Sequence, residues 1–499
     1  MASEVVNISS MTDDEVAAEL TALKDGVNAF FLLIMGLIVF LMQCGFAFLE
    51  AGSVRSKNTT NILIKNLLDS AISAICYWSI GWALAYGEND IQYLNRFCGG
   101  ADFFAIRMEP EDYANWFFQF AFAATASTII SGALAERCEF VAYFAYCGSL
   151  TLFIYPIVTH WAWDDEGWLK VGPGAEITYV DFAGSGVVHV LGGTCAFVGA
   201  FLLGPRIGRF EKPHEPAVDL KGHSVPFAAM GGFILMFGFF AFNGGSQLTI
   251  TKSGDGPAVA LAMMNTMLSG GAAAIVALGV NRALNERWSL LLTINAALAG
   301  MVAACAGCNA IMPWAAVVTG VGAGFAYIGV AKLVEKVKVD DPLDAVGVHF
   351  GGGLWGLFSA PILIYGDGII YSSNVKKSFG TLGWNMLGAL AICVWSGVMI
   401  GLVFGFMKLI KLLRVPKDVE LKGLDIYKHG EPAYPLVAYG HGWVEDIIHD
   451  PKLTEKERRR KLSANLSLGA AAIPRYENTE LHARHLKAIK EDQNELELR

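Results

Sequence analysis

Two histidines sit in apolar stretches, each inside the same frame: Asp181-x7-His189-x2-Gly192-Gly193 and Asp341-x7-His349-x2-Gly352-Gly353. A neutral imidazole donates a hydrogen bond from one nitrogen and accepts at the other. A pair of such rings can hold a small uncharged solute and relay a proton. An ionisable side chain at membrane depth is costly and marks a functional site by default. A single buried histidine is as often a satisfied core residue. Two in matched settings point instead to one site built from an internal repeat, with the rings in hydrogen-bond reach of each other.

The surrounding residues have double readings. Asp181 precedes a helical stretch and suits an N-cap, while a carboxylate there also favours an entering cation. Asp341 and Asp344 read the same way, with capping the stronger half. Phe118 and Phe122 are four apart and share a helix face, which packing alone explains. Trp163 falls at a predicted outer membrane boundary, where tryptophan is enriched; its other use is cation–π recognition. Nine cysteines are scattered, with Cys305-x2-Cys308 the one close pair. A redox motif would need a β-α-β setting, so packing accounts for them.

The elements that position these residues are apolar spans. The 499-residue chain is 54% apolar and 17% charged, and its mean hydropathy is +0.44. Uncharged runs of roughly 18 or more residues read as membrane helices. Eleven are expected, near 27–49, 62–87, 113–135, 139–163, 180–204, 226–248, 257–280, 288–307, 312–331, 345–366 and 384–410. The runs do not alternate, so a β-barrel is excluded. The fold class is an all-α polytopic membrane protein. If spans one to five repeat as six to ten, the odd number inverts the second copy and the two histidines approach from opposite sides. The eleventh helix is extra. Loops after odd spans carry twelve Lys and Arg and loops after even spans six, which puts the N-terminus outside and the C-terminus in the cytosol.

Three segments follow: an extracellular stretch 1–26, the helical domain 27–411 and a charged cytosolic tail 412–499. Asn7-Ile8-Ser9 is a glycosylation sequon on the expected outer face. The net charge of −9 belongs mostly to loops and tails, so no nucleic-acid partner is expected. The lipid bilayer is the expected surrounding.

Several stretches match family signatures. They are Asp181-Phe-Ala-Gly-Ser-Gly-Val-Val-His189-Val-Leu-Gly-Gly, Ala345-Val-Gly-Val-His349-Phe-Gly-Gly-Gly, Gly132-Ala-Leu-Ala-Glu136-Arg137, Phe242-Asn-Gly-Gly-Ser246 and Ala51-Gly-Ser-Val-Arg55-Ser-Lys57-Asn. On these the chain, over about 27–435, resembles the ammonium transporters of the Amt/Mep/Rh superfamily, in the Amt branch similar to plant and animal members. The resemblance implies that Phe122, Trp163 and the Ser246 hydroxyl surround an external cation site, with Phe118 a further aromatic. It implies that Phe122 and Phe242 are stacked gates, His189 and His349 the twin pore histidines, and Asp181 the acid beneath the recruitment site. It also implies a homotrimer with one pore per subunit, and no cofactor or metal. Phe239 and Cys305 depart from the residues common in relatives, Trp and Thr. Gly423-Leu-Asp425-Ile-Tyr427-Lys-His-Gly430 resembles a cytosolic activation segment, with Tyr427 where plant members have a phosphorylatable Thr.

The function expected is transport of ammonium, and of methylammonium, by a protein that is not an enzyme. Potassium matches ammonium in charge and approximate size, but only ammonium can shed a proton and cross an apolar pore as neutral ammonia. An ammonium sensor using the same pore is the alternative. A bis-histidine haem and a gas channel of the Rh type are lesser rivals. Gly423–Gly430 is expected to dock on the cytosolic loops and touch a neighbouring subunit, with a basic face of Arg206, Lys212 and Lys332 that meets Asp425, burying Leu424, Ile426 and Tyr427. A phosphate on Tyr427 should then undock it.

Overall fold

The computed structural model describes residues 12–89, 91–174, 176–210 and 217–434, together with Thr454. The sequon at Asn7, the basic residue Lys212 and the tail beyond 434, apart from Thr454, lie outside the described residues. Among the described residues the regular structure is helical, joined by loops and three isolated bridge pairs. Ten helices among the described residues are long and apolar enough to cross a bilayer. They are α1 (Asp13–Ser53), α2 (Ser56–Tyr86), α3 (Pro110–Leu134), α4 (Phe140–Val171), α5 (Ser185–Leu203), α6 (Val225–Gly245), α7 (Asp255–Asn285), α9 (Pro313–Lys336), α10 (Val346–Leu363) and α11 (Val375–Leu409). The expected span 288–307 is occupied by a shorter apolar helix, α8 (Leu290–Ala304). At 1.5 Å per residue it is about 22 Å long, short of the ~30 Å hydrocarbon core.

Two helices outrun their uncharged stretches. α1 begins at Asp13 rather than near 27, because Thr12 and Glu15 form a capping box and three acidic residues occupy the positive end of the helix. Residues 13–26 of the expected N-terminal segment are therefore helix. α11 begins at Val375 rather than 384, where the Asn374 side chain accepts from the Lys377 amide at 3.1 Å. A search for charge-free runs stops at such charged first turns, although the backbone does not.

α3 is the axis of the bundle. Every residue from Phe118 to Leu134 is buried, the mark of a helix that is apolar all round. It packs against α1, α2 and α5, while α1 lies along α6 and α5 crosses α10. Large apolar side chains point outward from the outer helices, among them Phe30, Leu67, Ile75, Phe201 and Leu402, as a lipid-facing surface requires.

Charge is concentrated on the face that bears the tail. Glu136 accepts from the Arg55 amide at 2.6 Å and from its Nε at 2.8 Å. Arg206 bridges Glu136 at 3.3 Å to Asp340, which it holds through its backbone amide, Nε and Nη2 at 2.8–3.0 Å. Arg137 is fully buried and donates to the carbonyls of Gly204, Ala135 and Asp340. This network accounts for the Gly-Ala-Leu-Ala-Glu-Arg signature: it ties the loops after α1, α3, α5 and α9 into one plate.

Burial opposes the charge on Glu136, but the Arg55 and Arg206 guanidiniums outweigh it and hold the carboxyl down to about 2. A carboxyl lowered on folding stabilises the fold above its unfolded value of 4.5, and that contribution is lost as pH falls toward 2. Glu136→Gln should therefore cost about 3 kcal/mol near neutrality, the order expected for breaking a buried pair. The deficit should shrink as the pH drops below 4.5. Thermal unfolding in detergent across that range checks both.

Candidate functional site

The two histidines lie in wide, π-type turns that open α5 and α10, Ser185–Val190 and Val346–Gly351. Such turns are rare and recur at functional sites. Each is anchored by the aspartate of its frame. Asp181 accepts from the amides of Gly184, Gly186 and Val187 at 3.1, 2.8 and 3.0 Å. Asp341 accepts from the Val346 amide at 2.7 Å. The seven-residue spacing thus places an acid on the first turn and the histidine two turns deeper.

The paired glycines set how closely the helices cross. A Cβ on Gly193 would fall 2.4 Å from the Phe350 amide nitrogen, and one on Gly353 would fall 2.4 Å from the Ser185 carbonyl oxygen. The second glycine of each pair therefore sits on the other helix's backbone. The result is the predicted meeting. His189 Nδ1 and His349 Nδ1 are 3.1 Å apart, with rings near parallel at 16° and centroids 5.1 Å apart. One nitrogen donates and the other accepts. Hydrogen-bond contact leaves no room for an iron between the rings, so the arrangement does not fit a bis-histidine haem.

Aromatic rings close the lumen beside them. Phe122 and Phe242 stack at 4.0 Å and 24°. Phe242 and Phe239 lie 5.4 and 5.7 Å from His189, so the Phe239 departure faces His189 directly. On the other side of the stack is a vestibule of about 460 Å³ lined by Phe118, Phe122, Trp163, Asp181 and Ser246. Phe118 lies 4.8 Å and Trp163 6.0 Å from Phe122. The Trp163 indole donates to the Asp181 carbonyl at 2.8 Å, and Ser246 Oγ donates to the Phe242 carbonyl. All eight pore and recruitment residues expected from the sequence fall in this one column.

A model of the Ammonium Transporter Family matches residues 29–434. The chain belongs to the ammonium transporter family. A Caenorhabditis elegans relative provisionally named ammonium transporter 1 is 54% identical over 451 residues, covering 86% of this chain and 84% of the relative. Ammonium transporter 1 member 3 of Solanum lycopersicum is 37% identical over 443 residues, 83% of this chain and 94% of that one. A solved structure of a Sensor Amt Protein aligns at a TM-score of 0.75 and 33% identity, covering 82% of this chain and 100% of that one.

In this ammonium transporter family member the tail docks, though not as the sequence suggested. Among the described residues Asp425 forms no ion pair with Arg206 or Lys332; it caps α2, accepting from the Asn61 amide at 2.9 Å. Asn58 Oδ1 accepts from the Leu424 amide, and Asn61 Nδ2 contacts His429 Nε2 at 2.8 Å. Arg414 and the Ile207 amide converge on Glu420, and Lys428 reaches Glu139. Leu424 is buried as expected. Ile426 is only half-buried, and Tyr427 is 54% exposed, which corrects the expected apolar contact. The reason is helical geometry: Asp425 and Tyr427 are two apart on a wound segment and face different ways. Gly423 lies against Lys57. The Arg55–Asn58 signature is thus the tail's dock.

Sequence reasoning gave no role to Glu50, Lys65 and Asp69, all of them fully buried within the bundle. Glu50 and Asp69 border charge-free runs, and Lys65 lies one helical turn before Asp69 near the start of the expected span 62–87. The available signal was that α1 and α2 continue as helix through them.

Two outcomes follow from this geometry. Gly353→Ala should force α5 and α10 apart, at a cost of roughly 1–3 kcal/mol for overpacking. Uptake of labelled methylammonium should fall while the protein still reaches the membrane. In the tail, Asp425→Ala should cost about 1 kcal/mol of capping and speed amide exchange of residues 417–430, whereas Tyr427→Asp should leave exchange unchanged.

Proposed function

We propose that the chain carries ammonium across a membrane by admitting it as a cation to the aromatic vestibule, stripping one proton, and passing ammonia along the histidine pair. The observation that carries this reading is the Phe122–Phe242 stack at 4.0 Å seated directly over His189. A hydrated ion cannot pass closed rings, and a bare one entering a low-dielectric lumen pays several kcal/mol or more. Ammonium avoids the penalty by becoming neutral; potassium has no such exit. Phe118, Phe122, Trp163 and Ser246 then act as the recruiting surface, and Asp181, its carboxylate already engaged by backbone amides, supplies negative potential beneath it. The roomy vestibule also suits methylammonium. Inverted five-helix halves, an outer N-terminus, a plasma-membrane setting and a homotrimer packed through the outward apolar faces complete the proposal.

A sensor using the same pore is the second reading. It is favoured by the 33% identity to the Sensor Amt Protein and by a tail latched to the loops of the transport bundle.

The experiment is growth of a transport-deficient yeast on low ammonium. Replacing both His189 and His349 with alanine should abolish growth or admit potassium. Unchanged growth with unchanged potassium exclusion would remove the histidines from the mechanism. Failure of the unaltered chain to support growth would favour the sensor.

A further inference from the structure

On the side of the histidines away from the vestibule lies a small cavity of about 30 Å³ whose lining includes both His349 and Glu50, together with Thr128 and Asn295. A water needs roughly 10–15 Å³ of such volume, so it has room for one or two. Glu50 is 1% exposed. Ser131 Oγ lies 2.5 and 2.6 Å from its two carboxyl oxygens, and Asn66 Nδ2 donates at 2.7 Å. No Lys or Arg ion-pairs with Glu50 among the described residues. The ionisable groups nearest it are Lys65 and Asp69 on α2 and His349 across the cavity. Asn66 Oδ1 and Asp69 Oδ2 are buried without a protein partner, so this polar seam retains capacity for hydrogen bonding beyond what the fold uses.

A packing role does not call for a carboxylate here. A neutral amide could take the Ser131 and Asn66 bonds without the cost of burying an ionisable group unpaired. Proton relay does call for one. A proton left on the histidine pair would repel the next ammonium and stall the cycle. We propose that Glu50 is the inner proton acceptor of the pore, taking the proton from His349 through water in the shared cavity. This rests on the histidine-pore reading above. In balance, ammonium gives one proton to the imidazole pair and becomes ammonia. The imidazolium gives that proton to the Glu50 carboxylate and is neutral again. The resulting carboxyl releases it to water on the tail-bearing side, where it rejoins ammonia. Each turnover moves one ammonia and one proton, and Glu50 is regenerated.

The test is the full chain in vesicles, with current and labelled ammonium flux recorded together. Glu50→Gln should reduce current by roughly 100-fold, the lower end of what a positioned proton-transfer group supplies, while labelled flux driven by an ammonia gradient persists. Glu50→Asp should restore current with a displaced pH profile. Charge per substrate and a pH profile equal to the unaltered chain in Glu50→Gln would overturn the proposal. If Glu50→Gln does not accumulate, infrared difference spectra of the unaltered chain and Glu50→Asp decide. A buried carboxyl band that responds to ammonium and shifts between the two supports the role; no carboxyl response overturns it. If unaltered vesicles carry no ammonium, the transport reading itself fails. If they do, and the double histidine variant does not, a normal Glu50→Gln sinks this inference alone.

Discussion

The arrangement depends on one close approach, the crossing of α5 and α10 at glycine. Side chains on both helices would hold them apart by the width of a methyl group or more. With Gly193 on the Phe350 backbone and Gly353 on the Ser185 backbone, two imidazoles that start on separate helices meet at 3.1 Å. Membrane helices gain little hydrophobic energy by associating, because lipid is as apolar as their own side chains. Van der Waals contact and polar bonds must hold the crossing, and small residues are what make that contact possible.

Once the crossing is fixed, charge has to be managed. The structure keeps two regimes apart. On the tail-bearing face, acids and guanidiniums form dense pairs, and Glu136 and Asp340 keep their charge although buried. Beside the lumen there are aromatic rings, imidazoles and backbone groups. Glu50 sits at the border between the two, with hydrogen bonds but no ion pair among the described residues.

One capping device appears three times. Asp181 anchors α5, Asp341 anchors α10 and Asp425 anchors α2 from outside its own helix. In each case a carboxylate accepts from amides that a helix start leaves unpaired. The third instance couples the tail to the bundle: releasing Asp425 leaves the first turn of α2 uncapped. The tail therefore touches the same helix that carries Lys65, Asn66 and Asp69 alongside Glu50.

The sequence alone determined the helical membrane class, the positions of most spans and the residues that gather around the histidine pair, because hydropathy and matched motifs are local in the chain. It also marked the two glycine pairs, although not what they touch. It misjudged the starts of α1 and α11, where charged first turns continue a helix that a search for uncharged runs cannot follow. It placed Tyr427 against the bundle when Leu424, Asp425 and His429 are the residues that meet it, because the facing of a short wound segment depends on what it docks against. It passed over Glu50, Lys65 and Asp69, since a lone charge near the end of an apolar run looks like the edge of a span. Only the tertiary structure could show that α1 and α2 bring those three groups near one another and that Glu50 shares a cavity with His349. That neighbourhood is formed by residues far apart in the chain, and no local pattern records which helices will touch.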